Sequence, residues 1–371
     1  MPNRSFVTEH VRGIGSSGIR RVFDLGATMQ DPIDLSIGQP DFPVPSNIKE
    51  VMIQAIRSDR NGYTVTRGLP ALRKKISAAL KAEFDQDPDV CVTCSVSGGL
   101  ILSLLACLSP GDEVLISDPY FVSYKHLVRL ARGVPVPVNV YDDFQLHPER
   151  LAAAVTPKTK VVIVGSPGNP TGIVYSDSDI QAIARLARDR DFLIITDEIY
   201  QLLAYDGPVS SPFRYAPERT ILLRGYGKAY AMTGLRVGFA AGPTEIITEM
   251  AKLQQYTYVC APQPSQHGAI EAMDTDMSAQ VAAYRAKRDL VCRELEGAFE
   301  FVRPSGGFYV FPKAPASFPT ATAFVEEAIR NKVLVIPGEV FSDRDTHFRI
   351  SYAVPDERIR RGCAVLRGLA G

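Results

Sequence analysis

Residues 160–172 read KVVIVGSPGNPTG, an apolar run that ends in a loop of Gly, Pro and Asn. Val161 to Val164 form an unbroken β-branched and aliphatic stretch. Such a run predicts a strand buried on both faces, as in a parallel sheet. In the loop, prolines fix φ and glycines permit angles that other residues avoid, so it should be a stiff turn. It carries one amide side chain, Asn169. The same pattern recurs in both directions. Further runs are VCVTCSV (90–96), EVLIS (113–117), VPVPVNV (134–140), FLIIT (192–196), TILLRG (220–225) and RVGFAAG (236–242). Helix-like stretches lie between several of them, such as LILSLLACL after residue 99 and DSDIQAIARLARDR at 177–190. Strands alternating with helices predict an α/β fold with a mostly parallel seven-stranded sheet flanked by helices.

Beyond residue 275 the rhythm changes. A charged amphipathic helix (281–297), a glycine-led strand in PSGGFYVFP (304–312), a helix and strand in TATAFVEEAIRNKVLVIPG, a strand in HFRISYAVP and a last helix predict a smaller α+β domain. The segment 1–44 has no sheet rhythm and is expected to pack with it. The predicted division is a large domain, 45–275, and a small one formed by 1–44 and 276–371.

At 371 residues and 46% hydrophobic, the chain can bury a core of two-domain size. Forty-one basic and forty-one acidic residues balance, with no long run of one sign, so neither nucleic acid nor a membrane surface is an expected partner. The six cysteines are scattered in a chain too large to need disulfide staples, which predicts reduced thiols. Cys91 and Cys94 form a C-x-x-C on one predicted strand, facing opposite sides. No second pair completes a metal site, and no metal is expected. The N-terminus lacks an apolar signal core, and no run approaches a membrane span, so a cytoplasmic protein is expected.

In parallel sheets, ligands bind outside the carboxyl ends of the strands. Those ends deliver Ser95, Val96 and Ser97, then Phe121 and Tyr124, then Asn169, then Asp197 and Tyr200, then Lys228 and Arg236. An amine of lowered pKa can form a Schiff base with a carbonyl. A carboxylate can hold a pyridinium nitrogen, an aromatic face can stack on the ring, and an amide and a phenol can bond its oxygen. An arginine with a helix N-terminus can hold a phosphate. Together these describe a pocket for pyridoxal 5'-phosphate.

The chain resembles the fold-type I pyridoxal-phosphate enzymes, specifically the class I/II aminotransferases related to aspartate aminotransferase. The resemblance runs through SSGIRRVFDLG, DLSIGQPDFPVP, GYTVTRGLPALR, PGDEVLISDPYFVSY, SPGNPTG, TDEIY, GKAYAMTGLRVGF, SGGFYVF and FRISYAVP, nearly the whole chain in order. It implies transamination between an L-amino acid and a 2-oxo acid, on an aspartate aminotransferase-like fold. Lys228 would carry the cofactor as a Schiff base and shuttle the proton. Asp197 would pair with the ring nitrogen, Tyr200 and Asn169 would bond the ring oxygen, and Phe121 would stack. Ser95, Val96 and Ser97 would cradle the phosphate with Arg236. Arg349 would bind the substrate carboxylate, with Asn169 and the backbone of Gly38 nearby. Tyr63 would reach the neighbouring subunit's phosphate, which implies a homodimer with shared active sites.

Three positions depart from the family pattern. Gly225 and Gly227 stand where serines are frequent, so two hydroxyl donors near the phosphate are missing, and Ser95 replaces a frequent glycine. Two rival activities share the scaffold or its shape: a C–S lyase or other β/γ-eliminating enzyme, and a non-catalytic effector-binding module. For a distal substrate carboxylate the candidate cations are Arg12, Arg20, Arg21 and His267.

Overall fold

The computed structural model describes residues 6–15 and 18–371; the side chains of Arg20 and Arg21 lie outside that description. A short strand, β1 (Ile33–Asp34), comes first. Each of the seven predicted runs is then a strand: β2 (Asp89–Thr93), β3 (Glu113–Asp118), β4 (Val134–Asn139), β5 (Thr159–Gly165), β6 (Leu193–Asp197), β7 (Thr220–Gly225) and β8 (Gly238–Gly242). Four short strands follow, β9 (Tyr309–Val310), β10 (Val333–Leu334), β11 (Ile336–Pro337) and β12 (Phe348–Ser351).

Strands β2 to β8 form one sheet in the order β2-β8-β7-β6-β5-β3-β4. Only β8 runs against its neighbours. The connection from β7 to β8, residues 226–237, contains no helix, so the chain returns as an antiparallel neighbour. That connection carries Lys228 and Arg236. β4 lies on one side of β3 and β5 on the other. This reversal opens a crevice outside the carboxyl ends of β3 and β5.

The unbroken apolar runs follow from burial on both faces. In β5, Val161 and Ile163 join one apolar cluster, which holds Leu100, Leu104, Ile247 and Met250 from two helices. Val162 and Val164 point the other way, into a cluster with Ile180 and Ile183. The helix supplying those two, Asp177–Arg190, starts where the Ser176 hydroxyl accepts a bond from Asp179 N at 3.1 Å. Acidic residues fill its first turn and basic ones its last, as the helix dipole favours.

The late strands form two small sheets. β11, β12 and β9 are antiparallel, and β1 pairs with β10 in parallel. Their core joins Leu35, Phe308, Phe348 and Ile350 to Tyr284 and Leu290 of the helix Ser278–Leu295 and to Ile359 and Leu366 of the helix Asp356–Ala370.

One expectation is corrected. Cys91 and Cys94 do not share a strand: β2 ends at Thr93 and a helix starts at Ser95. Ser95 has φ 67°, in the left-handed region, and this turns the chain out of the sheet. Among the described residues, no helix is long and apolar enough to cross a membrane.

Candidate active site

A cavity of about 370 Å³ opens at the carboxyl ends of the central strands. Every site residue expected from the sequence lines it except Tyr63. Tyr63 is 84% exposed on its own chain.

The loop after β5 is held as its composition requires. Gly168 N donates to Ile173 O at 2.9 Å, and Gly172 N to Gly168 O at 2.8 Å. Gly172 has φ 70°, and a Cβ there would lie 2.5 Å from Tyr309 O, so only glycine fits. Asn169 is thereby fixed, and its Oδ1 accepts from Arg349 Nη1 at 3.0 Å.

Arg349 is buried on β12. Its Nη2 donates to Ser36 O at 2.7 Å, and its Nε has no partner. The Tyr309 and Phe341 rings flank the guanidinium, with centroids 4.4 and 4.9 Å away. A buried cation held by neutral groups and facing a cavity is arranged to receive an anion.

Asp197 ends β6 and is buried. Tyr124 donates its hydroxyl to Oδ2 at 2.9 Å, and Ile199 N donates to Oδ1 at 3.3 Å. Burial raises the carboxyl to about 6, against the pull of these two donors. The Lys228 amine, lowered to about 8, reaches the same cavity. Its chief cause is again desolvation, reinforced by the charges of Arg349 and Arg236 and opposed by Asp197. Lys228 Nζ donates to the backbone oxygen of Gly38. The Tyr200 hydroxyl donates to that of Tyr309 at 3.2 Å.

At the other end, the helix Ser95–Cys107 begins with no side chain capping its free N–H groups. Arg236 stands beside it, with Nη2 donating to Ser95 Oγ at 2.5 Å and Nη1 to Thr233 O at 2.9 Å. An uncapped helix N-terminus beside a guanidinium suits a phosphate. The donor set therefore fits pyridoxal phosphate: a buried carboxylate for the ring nitrogen, a depressed amine for the aldehyde, an aromatic face in Phe121 and an anion cup.

Tyr309, Ile19, Gln39 and Thr233 also line the cavity, with no site role expected of them from the sequence, and so does Tyr124, which was expected at a strand end but given no partner. Tyr124 stands at a strand end and Tyr309 in GGFYVF, but spacing alone does not say which hydroxyl meets which partner. Gln39 lies in DLSIGQPDFPVP and Ile19 in SSGIRRVFDLG, but nothing in the sequence singles out either position. Neither Arg12 nor His267 lines the cavity.

The two glycines near Lys228 differ in the room around them, and neither has a left-handed φ. A Cβ on Gly227 would meet only Thr233 Cα, at 3.8 Å. One on Gly225 would press on Val96 Cγ2 at 3.1 Å and Ile199 Cδ1 at 3.2 Å. Gly227→Ser is therefore expected to slow cofactor loss on dialysis by about 2- to 10-fold, the worth of one added hydrogen bond. Gly225→Ser is expected to destabilise by about 1–3 kcal/mol through overpacking, read in thermal melts.

Comparison with known proteins agrees with this chemistry. The family described as aminotransferase class I and II matches residues 30–366. A putative aminotransferase of Bacillus subtilis, YugH, is 38% identical over 96% of each chain. The aspartate/prephenate aminotransferase of Thermus thermophilus is 37% identical over 89% of each. The solved structure of a Thermus thermophilus aspartate aminotransferase with maleate superposes with a TM-score of 0.95 at 34% identity, covering 99% of this chain and 100% of that one. The chain belongs to the class I and II aminotransferases, pyridoxal-phosphate enzymes that move an amino group between amino acids and 2-oxo acids.

Proposed function

We propose that the cavity at the carboxyl ends of β5 and β6, facing Arg349 of β12, is the transaminase active site, with Lys228 holding the cofactor through a Schiff base. The observation that carries this is one cavity containing a depressed amine, a buried carboxylate and a buried guanidinium with no carboxylate partner among the described residues. The cofactor supplies the electron sink; the protein supplies position and field. Arg349 and Asn169 bind the substrate carboxylate and set the Cα beside Lys228. Lys228 Nζ, low in pKa for a lysine and freed once the substrate amine takes its place on the aldehyde carbon, would accept the Cα proton and return it. Asp197 would hold the ring nitrogen protonated, Tyr200 and Asn169 would bond the ring oxygen, and Phe121 would stack on the ring. Ser95, Val96, Ser97 and Arg236 would hold the phosphate.

The test is a half-reaction across a panel of amino donors. Transamination leaves pyridoxamine phosphate and a 2-oxo acid. A C–S lyase or other eliminating enzyme would instead release a keto acid with ammonia, and an effector-binding module would turn over nothing. Aspartate heads the panel, because the Thermus thermophilus relatives are named for aspartate and prephenate.

The enzyme is read as a cytoplasmic homodimer with shared sites, each chain dividing into 45–275 and 1–44 plus 276–371. The separate small sheets and their core support that division. The exposure of Tyr63, Ile53, Ile56, Val65 and Tyr256 supports a covered face. Tyr63→Phe is expected to release cofactor faster. A Lys228→Ala chain mixed with an inactive Tyr63 variant is expected to regain one intact site per dimer. A strictly monomeric active protein in sedimentation would contradict the shared site.

A further inference from the structure

Tyr124 touches two groups of the proposed site and has no step of its own in the reaction. It lies on the helix Val122–Leu130, with its side chain buried beneath the cavity. Its hydroxyl donates to Asp197 Oδ2 at 2.9 Å. Its ring meets that of Phe121 edge-on, with centroids 5.5 Å apart and planes at 85°. The hydroxyl also occupies the space over Gly165, where a Cβ would lie 2.7 Å from it. Gly165 pairs with Asp197 across β5 and β6. Both the missing side chain at 165 and the edge contact at 121 therefore fix where this hydroxyl sits.

We propose that Tyr124 is a positioning residue that keeps the Asp197 carboxylate ionised and aimed, a role that rests on Asp197 being the ring-nitrogen partner. A buried carboxylate resists ionisation unless donors or cations offset the lost water. Around Asp197 the offsetting groups are the Tyr124 hydroxyl, Ile199 N and the Lys228 amine. Glu198 opposes them. Glu198 is itself tied to Arg224 at 2.8 Å and to the Thr196 hydroxyl at 3.0 Å. Tyr175 is the other titratable neighbour of Tyr124. Tyr124 titrates far above neutrality, raised first by burial and then by the Asp197 charge, so it remains a proton donor wherever the enzyme works. Without its bond the Asp197 carboxyl should titrate higher, and an acid form of Asp197 cannot hold a protonated ring nitrogen.

The experiment measures the cofactor dissociation constant of the reconstituted enzyme against pH, for wild type, Tyr124→Phe and Asp197→Asn. Affinity should fall as pH drops through the Asp197 titration. In Tyr124→Phe that fall should begin about one pH unit higher, the worth of a hydrogen bond to a charged group. Asp197→Asn should lack the fall altogether. If Asp197→Asn keeps the wild-type profile, the assignment of Asp197 is what fails. If Asp197→Asn loses it but Tyr124→Phe follows wild type, Tyr124 is structural only and the proposal is overturned, whatever its melting temperature. Should Tyr124→Phe not fold, 3-fluorotyrosine at position 124 gives the opposite sign. Its more acidic phenol should move the fall to lower pH, and an unmoved profile overturns the proposal.

Discussion

Lys228→Ala is expected to leave a folded protein with transamination reduced by at least about 10⁴-fold, the upper end of what one proton-transferring group contributes. Two functions go at once. No amine remains to hold the aldehyde, and no base stands beside the substrate Cα. The fold should survive because, among the described residues, the lysine makes no salt bridge that the core depends on. Its bond is to the backbone of Gly38, and burial lowers its amine to about 8. Removing a desolvated cation relieves a cost rather than adding one. Steady-state assays and a thermal melt check both halves. Residual turnover above a thousandth of wild type would place the base elsewhere.

Asp197→Asn is the second large effect. The amide matches the carboxylate in shape but has one acceptor oxygen, so it can keep either the bond from Tyr124 or the bond from Ile199 N, and its NH2 group faces the other donor. The larger loss is the charge. A neutral amide cannot keep a ring nitrogen protonated, and the barrier to removing the Cα proton should rise by more than about 2 kcal/mol, over tenfold in rate. Single-turnover kinetics with an amino donor measure this directly. Near wild-type half-reaction rates in a well-folded variant would remove Asp197 from the chemistry.

The large sheet was legible because its strands are buried on both faces. β5 shows why: Val161 and Ile163 enter one cluster and Val162 and Val164 the other, so no polar residue interrupts the run. The small strands were legible only as regions. PSGGFYVFP yields two strand residues, Tyr309 and Val310, because pairing with β12 and not local preference sets its limits. The C-x-x-C spacing misled for a local reason. Cys94 continues an apolar alternation, but Ser95 adopts a left-handed φ that no pattern of hydrophobicity reports.

In the site, the residues with charge or an amide at strand ends were legible, since topology alone brings strand ends together. Tyr124 was read only as a strand-end residue without a partner, and Tyr309 only as part of a quoted motif. Their importance is relational: one hydroxyl meets Asp197 and the other meets Tyr200, contacts between segments 73 and 109 residues apart. Tyr63 stands apart on a single chain: it is exposed and does not line the cavity.

Reductive trapping tests the central claim most directly. The holoenzyme is treated with borohydride, digested, and the modified peptide sequenced by mass spectrometry. The cofactor should be found covalently fixed on Lys228 alone, with one adduct per chain. An adduct on any other lysine, or a protein that binds pyridoxal phosphate and yields no adduct, would contradict it.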